Sequence, residues 1–259
     1  MPVVESKISN GVGVLTLNDP AKHNALSKEL IDQLCSALDD MRHLGARAVI
    51  LRARPEARVF SSGHDVRELP TNGRDPLTYD DPLRSAVRCV ELFPAPVIAM
   101  VEGTVWGGAC ELVMSCDIII AGDDSTFALT PAKVGVPYNI SGVQNLMNSG
   151  GVSLCKEMLF TAQPISVKRL VDHGIVSRAV PRDELEAVTQ SIAAQIVKNS
   201  PLVASLLKEE LRLLSAAQNL RPETFERVQA MRRKVYDSDD YQEGIRAFFE
   251  RRTPVFVGR

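Results

Sequence analysis

Short apolar runs and segments of helical periodicity alternate along the first two thirds of the chain. Residues 3–8 and 12–17 are β-prone runs joined by Asn10 and Gly11, a strong signal for a hairpin turn. Ser27 is suited to cap a helix, and the segment that follows it is expected to be helical. The apolar residues of that segment recur at helical spacing and are Leu30, Ile31, Leu34, Leu38 and Met41. The pattern therefore predicts a hairpin followed by a helix.

The same alternation continues beyond the first helix. Strand-like apolar runs occupy residues 48–51, 97–101, 118–121 and 126–129. Between the first two of these runs, Asp81 and Pro82 mark the start of a second helix, because proline suits the first helical turn. A third helix is expected over residues 108–115. Strands that alternate with helices predict an α/β core.

Beyond residue 182 the pattern changes to helices alone. The predicted helices span residues 183–199, 201–217, 222–236 and 238–252. The second of them carries a wide apolar stripe made of Leu202, Leu206, Leu207, Leu211 and Leu214. Such a stripe needs a partner surface, either within this region or on another subunit. We therefore divide the chain into an α/β core, residues 1–182, and a C-terminal helical region, residues 183–259.

The composition of the chain narrows the classes of function. Its 259 residues are enough to bury a large core, and the formal net charge of −2 comes from mixed charges along the sequence. The sequence lacks a basic patch of the kind that would indicate a nucleic-acid partner. The sequence does not begin with a signal peptide, and no apolar run approaches the roughly 18 residues of a membrane span. We therefore expect neither nucleic acid nor a membrane as a partner.

The cysteines and histidines indicate a reducing compartment and no metal site. The five cysteines are Cys35, Cys89, Cys110, Cys116 and Cys155. Their number is odd and they are scattered, which is typical of small buried residues in the cytoplasm. The four histidines are too dispersed to predict a metal site, and they are His23, His43, His64 and His173.

Two glycine-containing loops carry the candidate chemistry. They span residues 60–65 (FSSGHD) and 105–111 (VWGGACE), and each follows an apolar, strand-like run. A backbone N–H that is aimed by a tight glycine turn is a ready donor for a developing oxyanion. Two such donors, one from each loop, can hold the oxygen of a thioester enolate. Either loop alone is weak evidence, since glycine turns after strands occur throughout α/β proteins.

With their surroundings, the two loops resemble the crotonase, or enoyl-CoA hydratase/isomerase, superfamily. Further segments that carry the resemblance are residues 24–26 (NAL), 107–112 (GGACEL) and 116–121 (CDIIIA). The resemblance implies a spiral core of repeated β-β-α units and C-terminal helices that build trimers, often paired into hexamers. It also implies an oxyanion hole made by the backbone N–H groups of His64 and Gly108. Coenzyme A would be part of the substrate, and neither a separate cofactor nor a metal is expected.

A missing carboxylate bears on the type of reaction. Crotonase hydratases resemble one another in using two glutamates to move protons, and Glu111 occupies the first of these positions. The position that matches the second is Pro131, and proline cannot move a proton. Decarboxylation of a malonyl-type thioester needs an oxyanion hole and a proton source but no base. The departure from the family pattern therefore disfavours hydration and is compatible with decarboxylation.

Within the superfamily, the chain most resembles the members that decarboxylate methylmalonyl-CoA. The segments that carry this resemblance are residues 73–84 (GRDPLTYDDPLR), 101–106 (VEGTVW), 135–139 (GVPYN) and 235–244 (VYDSDDYQEG). It implies conversion of methylmalonyl-CoA or malonyl-CoA to propionyl-CoA or acetyl-CoA and CO2. The implied catalytic residues are His64, Gly108 and Tyr138, with Tyr138 at the substrate carboxylate. The implied substrate-binding residues are Ser62, Gly63, His64, Asp65, Val66, Gly108, Thr130 and Arg251.

Two alternatives stay open, an enoyl-CoA hydratase or isomerase that uses Glu111, and a non-catalytic scaffold of the same fold. The intact glycine loops argue against a lost active site. In a decarboxylase, a carboxylate at Glu111 would repel the carboxylate of the substrate, by several kcal/mol at about 4 Å and an effective dielectric near 20. We therefore predict that Glu111 is turned away or neutralised by a cationic partner, for which Arg84 is the candidate.

Overall fold

Strands and helices alternate as far as residue 180, and the described residues beyond it form only helices and loops. The computed structural model describes residues 2–55, 57–69, 81–215 and 221–259. The strands of these residues are β1 (Val4–Ser9), β2 (Val12–Leu17), β3 (Ala48–Ala53), β4 (Val59–Ser61), β5 (Val97–Val101), β6 (Thr104–Trp106), β7 (Ile118–Gly122), β8 (Thr126–Ala128), β9 (Ile165–Ser166) and β10 (Arg178–Val180). Their helices are α1 (Lys28–His43), α2 (Pro82–Glu91), α3 (Gly108–Met114), α4 (Ile140–Thr161), α5 (Val167–Asp172), α6 (Leu185–Lys198), α7 (Pro201–Ser215), α8 (Pro222–Tyr236) and α9 (Asp239–Glu250).

Parts of two predicted segments lie outside the described residues. These parts are residues 73–80 of the distinctive segment 73–84, and residues 216–217 of the helix predicted over 201–217. In the remainder of the chain, the strand predicted over residues 97–101 coincides with β5, and the helix predicted over 222–236 coincides with α8.

The strands form two sheets, and the same order of strands and helix repeats along the chain. In the larger sheet, β2, β3, β5, β7 and β10 are parallel neighbours and β1 pairs antiparallel with β2. The smaller sheet has the order β4-β6-β8-β9, in which β4, β6 and β8 are parallel. Each repeat therefore runs from a long strand to a short strand and then to a helix, as in β3-β4-α2, β5-β6-α3 and β7-β8-α4. This arrangement confirms the expected spiral of β-β-α units.

The local signals for the hairpin and for two helix starts are confirmed. Asn10 and Gly11 have φ angles of 51° and 77°, as a tight hairpin turn requires. Ser27 caps α1 by accepting a hydrogen bond from the backbone N–H of Leu30 at 3.3 Å. Asp81 caps α2 in the same way, and Pro82 is the first residue of that helix. Short-range chemistry therefore fixes the beginning of both helices.

Helix α6 covers the face of the large sheet that lies opposite the main core. Leu185 and Ala193 of α6 pack with Val14, Ile50 and Ile98 of the sheet. A parallel sheet of apolar strands must be covered on both faces, and α6 supplies the second cover. This helix therefore contributes to the core, although the sequence pattern grouped it with the C-terminal region. The division of the chain at residue 182 stays a prediction.

Helix α9 lies with its backbone against the short 3₁₀ helix Pro131–Val134. A Cβ atom added at Gly244 would overlap the carbonyl oxygen of Val134, and one added at Gly135 would lie 2.8 Å from the carbonyl oxygen of Asp240. Only glycine permits such close approach of two backbones. The last helix is thus seated on the segment that follows Thr130. Among the described residues, no helix combines the length and hydrophobicity needed to cross a membrane.

Candidate active site

A cavity of about 720 Å³ opens where the two glycine loops meet. Because β4 and β6 are neighbouring parallel strands, the loops that follow them lie side by side at the same edge of the small sheet. The predicted site residues that line this cavity are Ser62, His64, Asp65, Val66, Gly108, Thr130, Tyr138 and Arg251. The structure therefore brings together residues that are spread over almost 190 positions of the sequence, from the first glycine loop to the end of α9.

Gly63, which was also expected to bind substrate, lies behind this lining. A Cβ atom at Gly63 would lie 2.5 Å from the carbonyl oxygen of Trp106 and 3.1 Å from the backbone nitrogen of Gly108. Its φ angle of 86° is in the left-handed region as well. Glycine is therefore required here so that the two loops can approach each other.

The backbone N–H groups of His64 and Gly108 are close neighbours in this arrangement. A Cβ atom at Gly108 would lie 3.6 Å from the backbone nitrogen of His64. Gly107 adopts φ 53° and ψ −125°, and it caps α3 so that Gly108 is the first helical residue, whose N–H has no intrahelical acceptor. Within the described ranges, neither N–H makes a hydrogen bond. Both donors are thus left for an oxygen atom in the cavity.

Glu111 is buried in the wall of the cavity and is paired with a cation. Its side chain is 1% exposed, and Arg84 Nη1 donates to its Oε1 at 2.6 Å. Asn139 Nδ2 donates to the other carboxylate oxygen, Oε2, at 2.8 Å. Burial raises the pKa of Glu111, while the Arg84 charge and the hydrogen bond from Asn139 oppose that shift. The predicted pairing with Arg84 is confirmed, whereas the bond to Asn139 was not predicted.

Tyr138 lines the cavity and is kept in its neutral, donating form. Burial raises the pKa of its phenol well above 10, and the negative charge of nearby Glu111 acts in the same direction. The next residue, Asn139, caps α4 by accepting a hydrogen bond from the N–H of Gly142 at 2.6 Å. An asparagine ahead of a helix is a known capping signal, and it was the one available clue to this residue.

Further lining residues were missed from the sequence. Leu83 packs against Gly108, because a Cβ atom added at Gly108 would lie 2.7 Å from Leu83 Cδ2. Phe248 and Phe249, at the end of α9, are about half exposed and line the cavity beside Arg251. Exposed aromatic residues at a helix end give no periodic signal, which is why pattern analysis did not find them.

Basic side chains line the cavity near the first glycine loop. Lys22 and Arg67 are both part of the lining. Arg67 also forms two hydrogen bonds to Asp65, at 2.6 and 2.8 Å, and this pairing holds the pKa of Asp65 below its usual range. In the part of the chain that the structure describes, no group of three or more His, Cys, Asp or Glu side chains is placed to hold a metal ion.

Comparison with known proteins agrees with this geometry. The chain is 51% identical to methylmalonyl-CoA decarboxylase of Escherichia coli strain K12 over 96% of its length and 95% of the relative's. It superimposes with a TM-score of 0.98, at 49% identity, on a crystal structure of methylmalonyl-CoA decarboxylase complexed with 2S-carboxypropyl-CoA, covering 100% of this chain and 99% of the other. A probable enoyl-CoA hydratase of Bacillus subtilis strain 168 is 32% identical over the whole of both chains.

A sequence model of the enoyl-CoA hydratase/isomerase family matches residues 7–259, which is nearly the entire chain. The adjacent glycine loops, the β-β-α repeats and these relatives all lead to the same conclusion. The chain belongs to the enoyl-CoA hydratase/isomerase family.

Proposed function

We propose that this protein is a carboxy-lyase that converts methylmalonyl-CoA to propionyl-CoA and CO2, or malonyl-CoA to acetyl-CoA and CO2. The observation that carries the proposal is the state of Glu111, the one glutamate of the hydratase pattern that is present. Both of its carboxylate oxygens are occupied, by Arg84 and by Asn139. The position matched to the second glutamate is Pro131, which lines the same cavity. The similarity to the Escherichia coli decarboxylase supports the same reaction.

The proposed reaction begins when the bond between the α-carbon and the carboxylate breaks. CO2 leaves, and the electron pair of that bond moves into the thioester to form an enolate. The enolate oxygen accepts hydrogen bonds from the N–H groups of His64 and Gly108, and a proton from the solvent then adds to the α-carbon. Each such preorganised donor contributes roughly 3–4 kcal/mol to the stability of the transition state. No base is needed in this sequence of steps, which suits a cavity in which Glu111 is paired.

The other lining residues take supporting roles in the proposal. Tyr138 donates a hydrogen bond to the substrate carboxylate, and Thr130 borders the acyl group. Coenzyme A follows Ser62, Asp65 and Val66, which lie on the same loop as His64. Arg251 adds a third basic side chain to the cavity lining, beside Lys22 and Arg67 near the first glycine loop. Such charges suit the phosphates of coenzyme A.

Replacing Tyr138 by phenylalanine is expected to lower kcat about 10- to 100-fold and to change KM much less. A phenol binds the carboxylate without the strong ionic attraction that would stabilise it in the ground state and oppose its departure. Steady-state kinetics with methylmalonyl-CoA measure both constants. An unchanged kcat in the Tyr138→Phe variant would show that the hydroxyl group is structural.

The decisive test of the function is a direct comparison of substrates with the purified protein. Release of CO2 from methylmalonyl-CoA and malonyl-CoA is measured beside the hydration of crotonyl-CoA. We expect decarboxylation to have the higher kcat/KM by several orders of magnitude. Faster hydration of crotonyl-CoA would favour the hydratase alternative, and no turnover of any of the three would favour a non-catalytic scaffold.

The assembly proposed for this protein is a homotrimer, or a hexamer built from two trimers, with the C-terminal helical region at the subunit contacts. The support is the apolar stripe of α7, in which Leu202 and Leu214 are 81% and 74% exposed in the single chain. Sedimentation equilibrium distinguishes these states from a monomer. We also place the enzyme in the cytoplasm, which suits its five free cysteines.

A further inference from the structure

Asn139 occupies a point where three parts of the active site meet. It is 4% exposed, and both ends of its amide group are used. Its Oδ1 accepts from the N–H of Gly142 at 2.6 Å, and this bond starts α4. Its Nδ2 donates to Glu111 Oε2 at 2.8 Å. One side chain thus joins the beginning of α4 to the carboxylate on α3.

Gly142 shows how closely Tyr138 and Glu111 pack around this point. A Cβ atom at Gly142 would lie 2.6 Å from Tyr138 Cε1 and 2.8 Å from Glu111 Oε2. The phenol ring, the carboxylate and the first turn of α4 therefore leave no free space between them. Any rotation of Glu111 toward the cavity or shift of the helix start would also move the ring of Tyr138.

The charges around this point make the amide group of Asn139 the suitable partner. Asn139 is bonded to Glu111 of α3, and the titratable groups that act on Glu111 and on neighbouring Tyr138 are Arg84 and Glu91 of α2 and Cys110 of α3. Arg84 satisfies only one oxygen of Glu111, and a buried carboxylate oxygen without a donor is costly. A neutral donor completes the pair without adding charge near the site that receives an anionic substrate.

We infer that Asn139 is a positioning residue, which holds Glu111 away from the acyl group and keeps Tyr138 in the orientation that serves decarboxylation. The inference rests on the proposed function of the site. Asn139 does not touch the reacting atoms, and it acts through its two neighbours.

The test uses Asn139→Asp, which keeps the oxygen that caps α4 but replaces the N–H donor by a second carboxylate. Two neighbouring carboxylates in a buried site repel each other, so the pKa of one of them is raised. Below that raised pKa, this carboxyl group is protonated. When protonated, the introduced carboxyl group can donate to Glu111 and restore the arrangement. The ratio of variant to wild-type kcat is therefore expected to be near one at pH 6 and to fall about 10- to 100-fold by pH 9, with KM changed less than about threefold.

Two further variants complete the experiment. Asn145→Asp is the matched control, because Asn145 lies on the same helix and its Nδ2 also donates to a glutamate, Glu91 Oε1, at 3.1 Å. Its kcat ratio is expected to stay near one at every pH. Asn139→Ser keeps a capping oxygen and adds no charge, so its kcat is expected to fall at all pH values. It also provides the test if Asn139→Asp does not fold.

The outcomes separate this inference from the proposed function. The wild-type and Asn145→Asp rates report whether the protein decarboxylates methylmalonyl-CoA. The position of Tyr138 in crystal structures of wild type and Asn139→Ser reports the inference independently of any activity. A shifted Tyr138 ring together with the pH-dependent ratio supports it. A ratio that does not depend on pH, or an unmoved Tyr138 with wild-type kcat in Asn139→Ser, overturns it.

Discussion

Replacing Gly108 by valine is expected to lower kcat for methylmalonyl-CoA decarboxylation roughly 100- to 1,000-fold while the protein stays folded. The backbone of Gly108 does not have a left-handed φ angle, so a residue with a side chain is tolerated by the main chain. The Cβ atom of the new side chain would lie 2.7 Å from Leu83 Cδ2 and 3.6 Å from the backbone nitrogen of His64, so its branched methyl groups would crowd the proposed binding position of the thioester oxygen. The oxyanion can then no longer approach the two N–H groups.

Two control variants test whether the loss depends on side-chain size at residue 108 and whether only the backbone N–H of His64 is needed. Gly108→Ala adds only the first methyl group and is expected to lose less activity than Gly108→Val. His64→Ala keeps the backbone N–H of residue 64 and is expected to lose less than about 10-fold in kcat, because the donor remains. Near-normal decarboxylation by folded Gly108→Val would remove Gly108 from the site. A complete loss in His64→Ala would show that the imidazole takes part.

Replacing Arg84 by methionine is expected to cost about 3–5 kcal/mol of folding stability, because it leaves a buried carboxylate without its cation. Glu111 is 1% exposed and Arg84 14% exposed at the side chain, so water cannot replace the lost partner. The measurement is the unfolding midpoint in denaturant for wild type and variant. The double variant Arg84→Met with Glu111→Gln removes the charge as well and is expected to recover at least half of the loss, since the amide oxygen still accepts from Asn139.

The loss in Arg84→Met is expected to depend on pH in a definite direction. Burial already raises the pKa of Glu111, and removal of the Arg84 charge raises it further. When the pKa of a carboxyl group is higher in the folded state than in the unfolded state, its protonated form stabilises the fold. This stabilisation is complete below the unfolded-state pKa of about 4.3 and is lost as the pH rises through the folded-state pKa. The deficit of Arg84→Met should therefore be smallest near pH 5 and largest at pH 8. A deficit that is constant over this interval would contradict the ion pair.

Much of the α/β core could be predicted because its signals are local. A continuous apolar run gives β5, since a central parallel strand is buried on both faces. Asp81 and Pro82 mark the start of α2 within two residues. Charge repulsion with the substrate predicted a cationic partner for Glu111, and the choice of Arg84 came from its place in the distinctive segment 73–84.

The elements that were missed depend on contacts between distant parts of the chain. Helix α4 contains three glycines, and Gly151 has a φ angle of 76°, so its sequence shows no continuous helical pattern. Strands β4 and β6 overlap the segments 60–65 and 105–111, which were interpreted as glycine loops. Asn139 and Glu111 are 28 residues apart, and only the folded chain shows that they are bonded.

The close contact of α9 with the 3₁₀ helix links sequence change in the C-terminal helix to sequence change in the wall of the cavity. Gly135 and Gly244 bring two backbones together, so neither position can acquire a side chain without moving the other segment. Thr130 and Pro131 lie at the start of that 3₁₀ helix, within the cavity wall. A change of acyl-group preference by remodelling residues 130–135 therefore requires a compensating change in the last helix. Relatives that differ in specificity are expected to differ in residues 130–135 and in α9 together. The outward-facing residues of α9 are expected to vary independently.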